Sequence, residues 1–412
     1  MPTYLTPGVY IEEISTGPRP IEAVGTSTAG FVGIAPDPKA HIQDATAITN
    51  WTQFLKEFAS PEGGSAAAMV STPLSHAVFG FFQNGGGKCY VVNVGQEDQI
   101  VGDASGRKGI DLFEEVDEIA IVAAPGYADA ATYDSLLSHC EKLKDRVAIL
   151  DPPEEVAKLE LLTRVATGPP PRRPRKTGEG AATTGSPPAG LRPRQSDGGY
   201  GAFYFPRIRV RDPFDSKQFP YVAPSGHLAG IYARTDTTRG VHKAPANEII
   251  RGAIDLSFNM TQEDQAPLNE SGINCIRFFT GEGIRVWGAR TVGPPDWRYL
   301  NVRRLFNMIE ESIGRSTRWV VFEPNDLALW KSIRRDVRAF LMLLWRQGAL
   351  MGATPEEAFF VQCDAETNPP EVIDSGTVVT LIGIAPVKPA EFVVFRIGQG
   401  VGGTQIEVQG GT

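Results

Sequence analysis

The stretch Arg318–Gly348, RWVVFEPNDLALWKSIRRDVRAFLMLLWRQG, constrains this chain most, because its apolar residues can be buried only by packing a long helix against other elements. Trp319–Phe322 is a β-prone apolar run ended by Pro324. Asn325 is placed to cap the helix that follows, and Asp326 suits the positive end of its dipole. At about 100° per residue, Trp330, Ile333, Val337, Phe340, Leu341 and Leu344 share one face. Lys331, Arg334, Arg335 and Arg338 form a narrow basic stripe beside it. The pattern predicts a short strand, a Pro break and a helix with an apolar side and a basic side. The stripe is either a solvated face or the contact for an acidic partner, and both readings stay open on this stretch alone.

A chain of 412 residues has room for two or three domains and an ample core. Its net charge of −8 argues against general nucleic-acid binding. The start, Met1-Pro2-Thr3-Tyr4, has no basic n-region and no apolar h-region, so no secretory leader is expected. The longest apolar run, around Phe340–Trp345, is far shorter than a membrane span. Cys89, Cys140, Cys275 and Cys363 are scattered without a CxxC pair. Cys89 and Cys140 read as small core residues, and the set implies a reducing compartment, with no disulfide framework and no zinc site.

The N-terminus alternates as a strand does: Val9, Tyr10, Ile11, Glu12, with Ile14 beyond. Pro7-Gly8 fences it on one side, and Gly17, Pro18 and Pro20 on the other. Such a strand either pairs within its own domain or is an arm for a neighbour; about 15 extended residues reach roughly 50 Å. Thr28–Pro36 reads as a buried strand, Trp51–Phe58 and Ser75–Phe82 as helices, and Cys89–Val94 as a strand. The turn before it, NGGGK, lacks the Ser or Thr and the following helix of a phosphate loop. Strand Ile119–Ala123, helix Ala130–Lys144 and strand Val147–Leu150 make an α/β unit without a dinucleotide fingerprint. Gly168–Gly199 is rich in Pro, Gly and Arg, poor in large apolar residues, and reads as a solvated insertion.

Beyond it, Ile208 and Val210 alternate with arginines, and His227–Ala233 reads as a short helix. Ser225, His227 and Asp236 are possible catalytic material, but Ser225 lacks a GxSxG elbow and nothing fixes a His as its base. Ile273–Phe279 and Ile284–Trp287 read as a hairpin, and Asp296–Ile313 as a helix with Leu300, Leu305, Ile309 and Ile313 inward. Strands are expected at Phe359–Cys363, Thr377–Ile384 and Glu391–Ile397, the last including Phe392 and Val394. A glycine hinge (Gly398, Gly400, Gly402, Gly403) then leads to a short strand with Gln405, Ile406 and Val408.

Taken in order, TPGVYIEE, FFQNGGGKCYVV, PSGHLAGIYARTD with RGVHKAPAN, LNESGINCIRFF with GIRVWGARTV, RYLNVRRL, VVFEPN and APVKPAEFVVFRIGQ resemble the tail sheath proteins of contractile phages and phage-tail-like injection particles. The likeness covers nearly everything except Gly168–Gly199, and the short length is most similar to extracellular contractile injection systems. It implies an α/β (α+β mixed) fold: a two-domain sheath protomer with mixed sheets flanked by helices and extended N- and C-terminal arms. The expected division is an N-terminal arm over 1–20, a core domain from 21–95 with 250–397, an outer α/β domain over 96–249 containing the insertion 168–199, and a C-terminal hinge and arm over 398–412.

What the resemblance implies for function is a structural subunit that stacks as hexameric rings around an inner tube and contracts to drive that tube through a target envelope. Neighbours would exchange arm strands by β-augmentation. The strand residues are Val9, Tyr10, Ile11, Glu12 and Ile14 at one end, with Gln405, Ile406, Val408, Phe392 and Val394 at the other. Gly17, Pro18, Gly398, Gly400, Gly402 and Gly403 would be the hinges. The segment beyond the second hinge is the favoured donor. Lys331, Arg334, Arg335 and Arg338 would face the tube. Implied partners are further copies of the chain, the inner tube protein, baseplate and terminator or cap proteins, and sister sheath proteins, with no nucleic acid and no membrane insertion. Assembly is expected in the bacterial cytoplasm, within a phage tail or a tail-like particle released from the cell. No catalytic residue, cofactor or metal is expected. The rival readings are an α/β enzyme and a static tube or shell protein.

Overall fold

The β-branched runs and amphipathic helices of this chain assemble one large mixed sheet, covered on both faces, and a smaller helical unit beside it. The computed structural model describes residues 20–59, 70–95, 100–103, 106–166 and 190–393. The main elements in chain order are β1 (Ala29–Gly33), β2 (Ala45–Ile48), α1 (Trp51–Phe58), α2 (Pro73–Gln83), β3 (Cys89–Asn93), β4 (Ile121–Ala123), α3 (Ala130–Leu143) and β5 (Val147–Leu150). They continue as β6 (Gly201–Phe205), α4 (Ser225–Arg239), β7 (Glu248–Ile249), α5 (Gln262–Glu270), β8 (Ile273–Phe279), β9 (Gly283–Trp287), α6 (Leu300–Ser316), α7 (Leu327–Arg346), β10 (Phe359–Gln362) and β11 (Leu381–Ile384).

The large sheet has the order β7-β9-β8-β6-β5-β4-β1-β3-β2. Its centre, from β8 to β3, is parallel. The edge strands β2, β9 and β7 are antiparallel. A parallel centre needs cover on both faces, and β1 and β5 are buried along their whole length. Phe31 and Ile149 point to a core with Phe54, Phe58, Val78 and Leu228 of α1, α2 and α4. Their neighbours Val32 and Leu150 point the other way, to a core with Leu136 and Leu137 of α3. Helices α2 and α4 approach closely because glycine meets helix at their crossing: a Cβ on Gly226 would lie 2.2 Å from Ala77 backbone, and one on Gly230 2.4 Å from the Phe81 carbonyl oxygen.

The second unit has its own core. Leu305 and Ile309 of α6, Trp330, Ile333, Val337, Phe340, Leu341 and Leu344 of α7, and Phe359 of β10 bury one another, with Ile21 and Val241 added. All six apolar positions expected on the inner face of α7 are there.

Strands from both sides of the expected boundaries at 95/96 and 249/250 join the one large sheet, and α6 and α7 build a core of their own beside it. Several expectations are corrected. Trp319–Phe322 is not a strand: Arg318–Val320 is a 3-10 turn following directly on α6, and Phe322 is fully exposed with φ 68. The cap of α7 is Asp326, whose carboxylate accepts the N–H groups of Ala328 and Leu329 at 2.9 Å. Asn325 instead accepts the Trp330 indole N–H at 2.8 Å.

The helix expected at 227–233 runs from Ser225 to Arg239, and that expected from Asp296 begins at Leu300 after a 3-10 turn. Of Thr377–Ile384, only Leu381–Ile384 is strand. The last ten residues of the supposed solvated insertion are ordered. Arg194 binds Asp134 at 2.5 Å and Glu141 at 2.9 Å on α3, and Ser196 N–H donates to the Val292 carbonyl at 3.0 Å. Arg194 is thereby paired with acids distant in sequence.

Beneath the α2–α4 crossing lie two buried histidines. His227 is 1 % exposed with no hydrogen bond on either ring nitrogen. Burial, reinforced by His76, lowers its pKa to about 3. Burial also lowers that of His76, against the pull of Asp212. Asp151, which caps α4 through the Ser225 N–H and hydroxyl, is pushed by burial up to about 6. Above pH 6.5 the His227 ring is neutral whether folded or unfolded, and it contributes no pH dependence. Below that, the unfolded chain takes up a proton that the folded one refuses, so stability falls with pH until about 3. Asp151 works in the opposite sense between its ordinary carboxyl range and about 6, offsetting part of the loss. Urea melts at pH 7 and pH 5 will show His227 costing about 2 kcal/mol at the lower pH. In His227→Gln the loss of stability on acidification will shrink by that amount.

Candidate assembly surfaces

Helix α6 carries two neighbouring arginines, each 3 % exposed. Arg303 lies over the rings of Trp297 (4.1 Å) and Tyr200 (4.6 Å) and donates from Nε to Asn307 Oδ1 at 2.7 Å. Arg304 grips Asp236 of α4 with both terminal nitrogens, at 2.9 and 2.5 Å. The same Asp236 accepts the Thr26 hydroxyl proton at 2.6 Å, and Arg304 donates to the Thr26 carbonyl at 3.0 Å. Farther along α6, Ser312 Oγ accepts the Val24 N–H at 3.0 Å and Ser316 Oγ that of Glu22 at 3.3 Å. Residues 21–26 are thereby laid along the helix, with Ile21 buried in the helical core.

The other end of the chain is tied to the start of the same helix. Asn301 Nδ2 donates to the Val387 carbonyl at 3.0 Å. Arg290 clamps Glu391 with Nε at 2.9 Å and a terminal nitrogen at 2.5 Å, its third contact being the Asn269 carbonyl at 2.8 Å. The root of the N-terminal segment therefore lies along α6 and that of the C-terminal segment beside its start, and Asn301 and Ser316 are separated by about 22 Å at 1.5 Å per residue.

Glu391–Val393, expected to open a core strand, pair with no strand; Phe392 is 74 % and Val393 69 % exposed. That removes the reason for favouring only the segment beyond the hinge. Val9, Tyr10, Ile11, Glu12, Ile14, Gly17, Pro18, Val394, Gly398, Gly400, Gly402, Gly403, Gln405, Ile406 and Val408 lie outside the described residues.

The basic stripe is on the outer side of α7, with Lys331, Arg335 and Arg338 exposed and Arg334 half-buried. Two of the four are already engaged: Arg335 with Asp336 at 2.9 Å and Arg338 with Glu356 at 2.8 Å. Lys331 and Arg334 have no ion pair among the described residues. Below α7 the strands β10 and β11 form a two-stranded antiparallel sheet. Among the described residues both its outer edges lack a partner strand, and Phe360 and Leu381 stand half exposed.

The residues singled out as catalytic material do not converge. Ser225 Oγ donates to Asp151 Oδ2 at 2.6 Å, His227 has no hydrogen bond, and Asp236 belongs to Arg304. Asp236 lies eleven residues along the same helix from Ser225, about 16 Å away. The NGGGK turn is occupied by its own chain, Asn84 Nδ2 donating to the Gly80 and Arg251 carbonyls at 3.0 and 3.1 Å. Arg290, Glu391 and Thr26 were not singled out by sequence; nothing local distinguishes them from surface residues.

Comparison with known proteins agrees with this architecture. Residues 102–292 match the family model described as phage tail sheath protein central domain, and residues 293–399 the phage tail sheath C-terminal domain. The tail sheath protein of Vibrio phage KVP40 is 29% identical over 181 residues, 43% of this chain and 26% of that protein. That of Enterobacteria phage T4 is 29% identical over 181 residues, 43% of this chain and 27% of that protein. The matched region thus spans about a quarter of these phage proteins. Solved structures match over nearly the whole length. The sheath of the extracellular contractile injection system PVC, in its contracted state, has TM-score 0.74 and 29% identity, covering 97% of this chain and 99% of that one. The helical sheath of the anti-feeding prophage, also contracted, has TM-score 0.72 and 31% identity, covering 96% of this chain and 100% of that one. With both domain models matched end to end and a full-length sheath at this identity, the chain belongs to the phage tail sheath family.

Proposed function

We propose that this protein is a structural subunit of a contractile sheath: it polymerises helically around an inner tube, and a change of packing between subunits drives the tube through a target envelope. The observation that carries the reading is the bare two-stranded sheet β10–β11, seated on α7 beside the roots of both terminal segments. Two strands alone are marginal, and open edges invite further strands. Terminal segments from neighbouring subunits, 1–20 and 394–412, are the strands that complete it. Each added strand brings a few backbone hydrogen bonds at about 1 kcal/mol each, modest singly and cumulative along a polymer.

In this reading α6 is the beam between the arms. Tension applied through one arm root passes through Thr26, Asp236 and Arg304 to the helix, and leaves through Asn301, Arg290 and Glu391. Clamps of this kind let a subunit rotate without losing its neighbours, since hinge motion is confined to residues outside the roots. The stripe on α7 contacts an acidic tube in the extended state through weak, salt-sensitive pairs, so contraction can break them. The protein works by packing, without catalysis or cofactor, and its particle is a phage tail or a tail-like injection particle assembled in the bacterial cytoplasm. The baseplate similarity of the anti-feeding prophage structure, 31% identical over 97% of this chain, favours baseplate contact as well.

Expressed alone, the protein will form hollow striated cylinders by negative-stain electron microscopy; monomers or small closed rings under all conditions would contradict the sheath reading. Reversing the charge of Lys331, Arg334, Arg335 and Arg338 together will leave those cylinders intact. Extended particles with the tube protein will fall about tenfold or more, as expected from several exposed pairs of about 0.2–1 kcal/mol each. Normal yields of extended particles would remove the stripe from the tube contact. Asp236→Asn will destabilise the monomer by about 3–5 kcal/mol in urea melts, because it leaves Arg304 buried without its counter-charge.

A further inference from the structure

A cluster outside the arm roots has a chemistry that assembly does not use. Ile110–Glu115 is a 3-10 helix, in which side chains three apart eclipse. Asp111 and Glu114 are three apart and project to one side, toward α3. There they meet His139, and one ligand atom from each of the three lies within 4.8 Å of the other two. His139 is 4 % exposed, yet neither ring nitrogen has a hydrogen-bond partner. A buried polar ring left without partners is costly and calls for a ligand.

We propose that Asp111, Glu114 and His139 bind a first-row divalent transition metal, with zinc the best match. The donor set is one imidazole nitrogen and two carboxylates, which suits zinc at about 2.0–2.2 Å per ligand and disfavours the all-oxygen preference of magnesium and calcium. The acids have capacity to spare. Asp111 Oδ2 accepts the Gly102 N–H at 2.8 Å, leaving Oδ1. Glu114 Oε1 holds Lys142 at 2.6 Å, while Oε2 has Arg107 only at 3.6 Å. The Lys142 side chain is 65% exposed and can swing into solvent when a cation arrives. Side-chain rotations that bring the three donors together by about an ångström complete the site. The ion would tie the 3-10 helix to α3 and stiffen the sheet face that they cover.

The test is isothermal titration of the full chain, stripped with chelator, against zinc sulfate at pH 7, with magnesium and calcium chlorides as comparison. Expected is one zinc per chain, a thermal midpoint raised by zinc, and little heat from the other two ions. His139→Gln and Glu114→Gln will each weaken zinc binding by about tenfold or more. His41→Gln will not, although His41 also sits beside two carboxylates, Asp44 and Glu57, at the surface. Should His139→Gln misfold, Asp111→Asn and Glu114→Gln decide the matter with the buried ring intact. Absence of zinc heat in the parent chain overturns the proposal. So does binding that survives unchanged in the Glu114 and Asp111 variants, or binding abolished only by His41→Gln.

Discussion

The contact on which the rest of this molecule depends is the buried pairing of Arg304 with Asp236. It joins three parts at one point: α6 of the helical unit, α4 of the sheet unit and the incoming segment at Thr26. A charge pair with side chains 3% and 6% exposed gains little net stability against an apolar alternative, but it is costly to break from one side. Its value is therefore geometric. It fixes where the N-terminal segment leaves the body, as Arg290 and Glu391 fix where the C-terminal segment leaves.

This geometry explains how one chain can be both rigid and linkable. The sheet is buried on both faces and its centre is parallel, so it behaves as a solid block. The helical unit offers the opposite: a two-strand sheet with free edges, an α7 outer face with charges only half neutralised, and exposed Phe322, Leu327 and Leu343. Surfaces that are unfinished in one subunit are finished by others in a polymer. A contractile assembly additionally needs contacts that can be exchanged. In the proposed assembly, weak stripe contacts on one side and backbone-paired arms on the other would meet that need, because the first can break while the second hold.

Much of this was legible in the sequence where a periodic signal exists. The buried face of α7 follows from the spacing of Trp330, Ile333, Val337, Phe340, Leu341 and Leu344, and α1 and β5 have the bounds their patterns predict. Trp319–Phe322 misled because an apolar β-prone run was judged locally; with α6 ending at Ser316, the chain turns at once and never reaches a partner strand. Gly168–Gly199 read as a solvated insertion throughout because Asp134 and Glu141, which hold Arg194, lie more than fifty residues earlier. The arm-root clamp was illegible for the same reason: Thr26 and Arg304 meet across 278 positions. Strand order within a sheet is likewise a tertiary fact. Neither hydropathy nor turn residues announce that β1 lies between β3 and β4.

The central claim is that the arms leave from fixed roots along and beside α6 and end on the open two-stranded sheet of other subunits. A side-chain-resolution electron cryomicroscopy reconstruction of the polymer tests it directly. The account predicts Arg304–Asp236–Thr26 and Arg290–Glu391 intact, with segments 1–20 and 394–412 paired to β10 or β11 of neighbouring copies. Terminal segments folded back on their own two-stranded sheet, or clamps opened in the polymer, would contradict it.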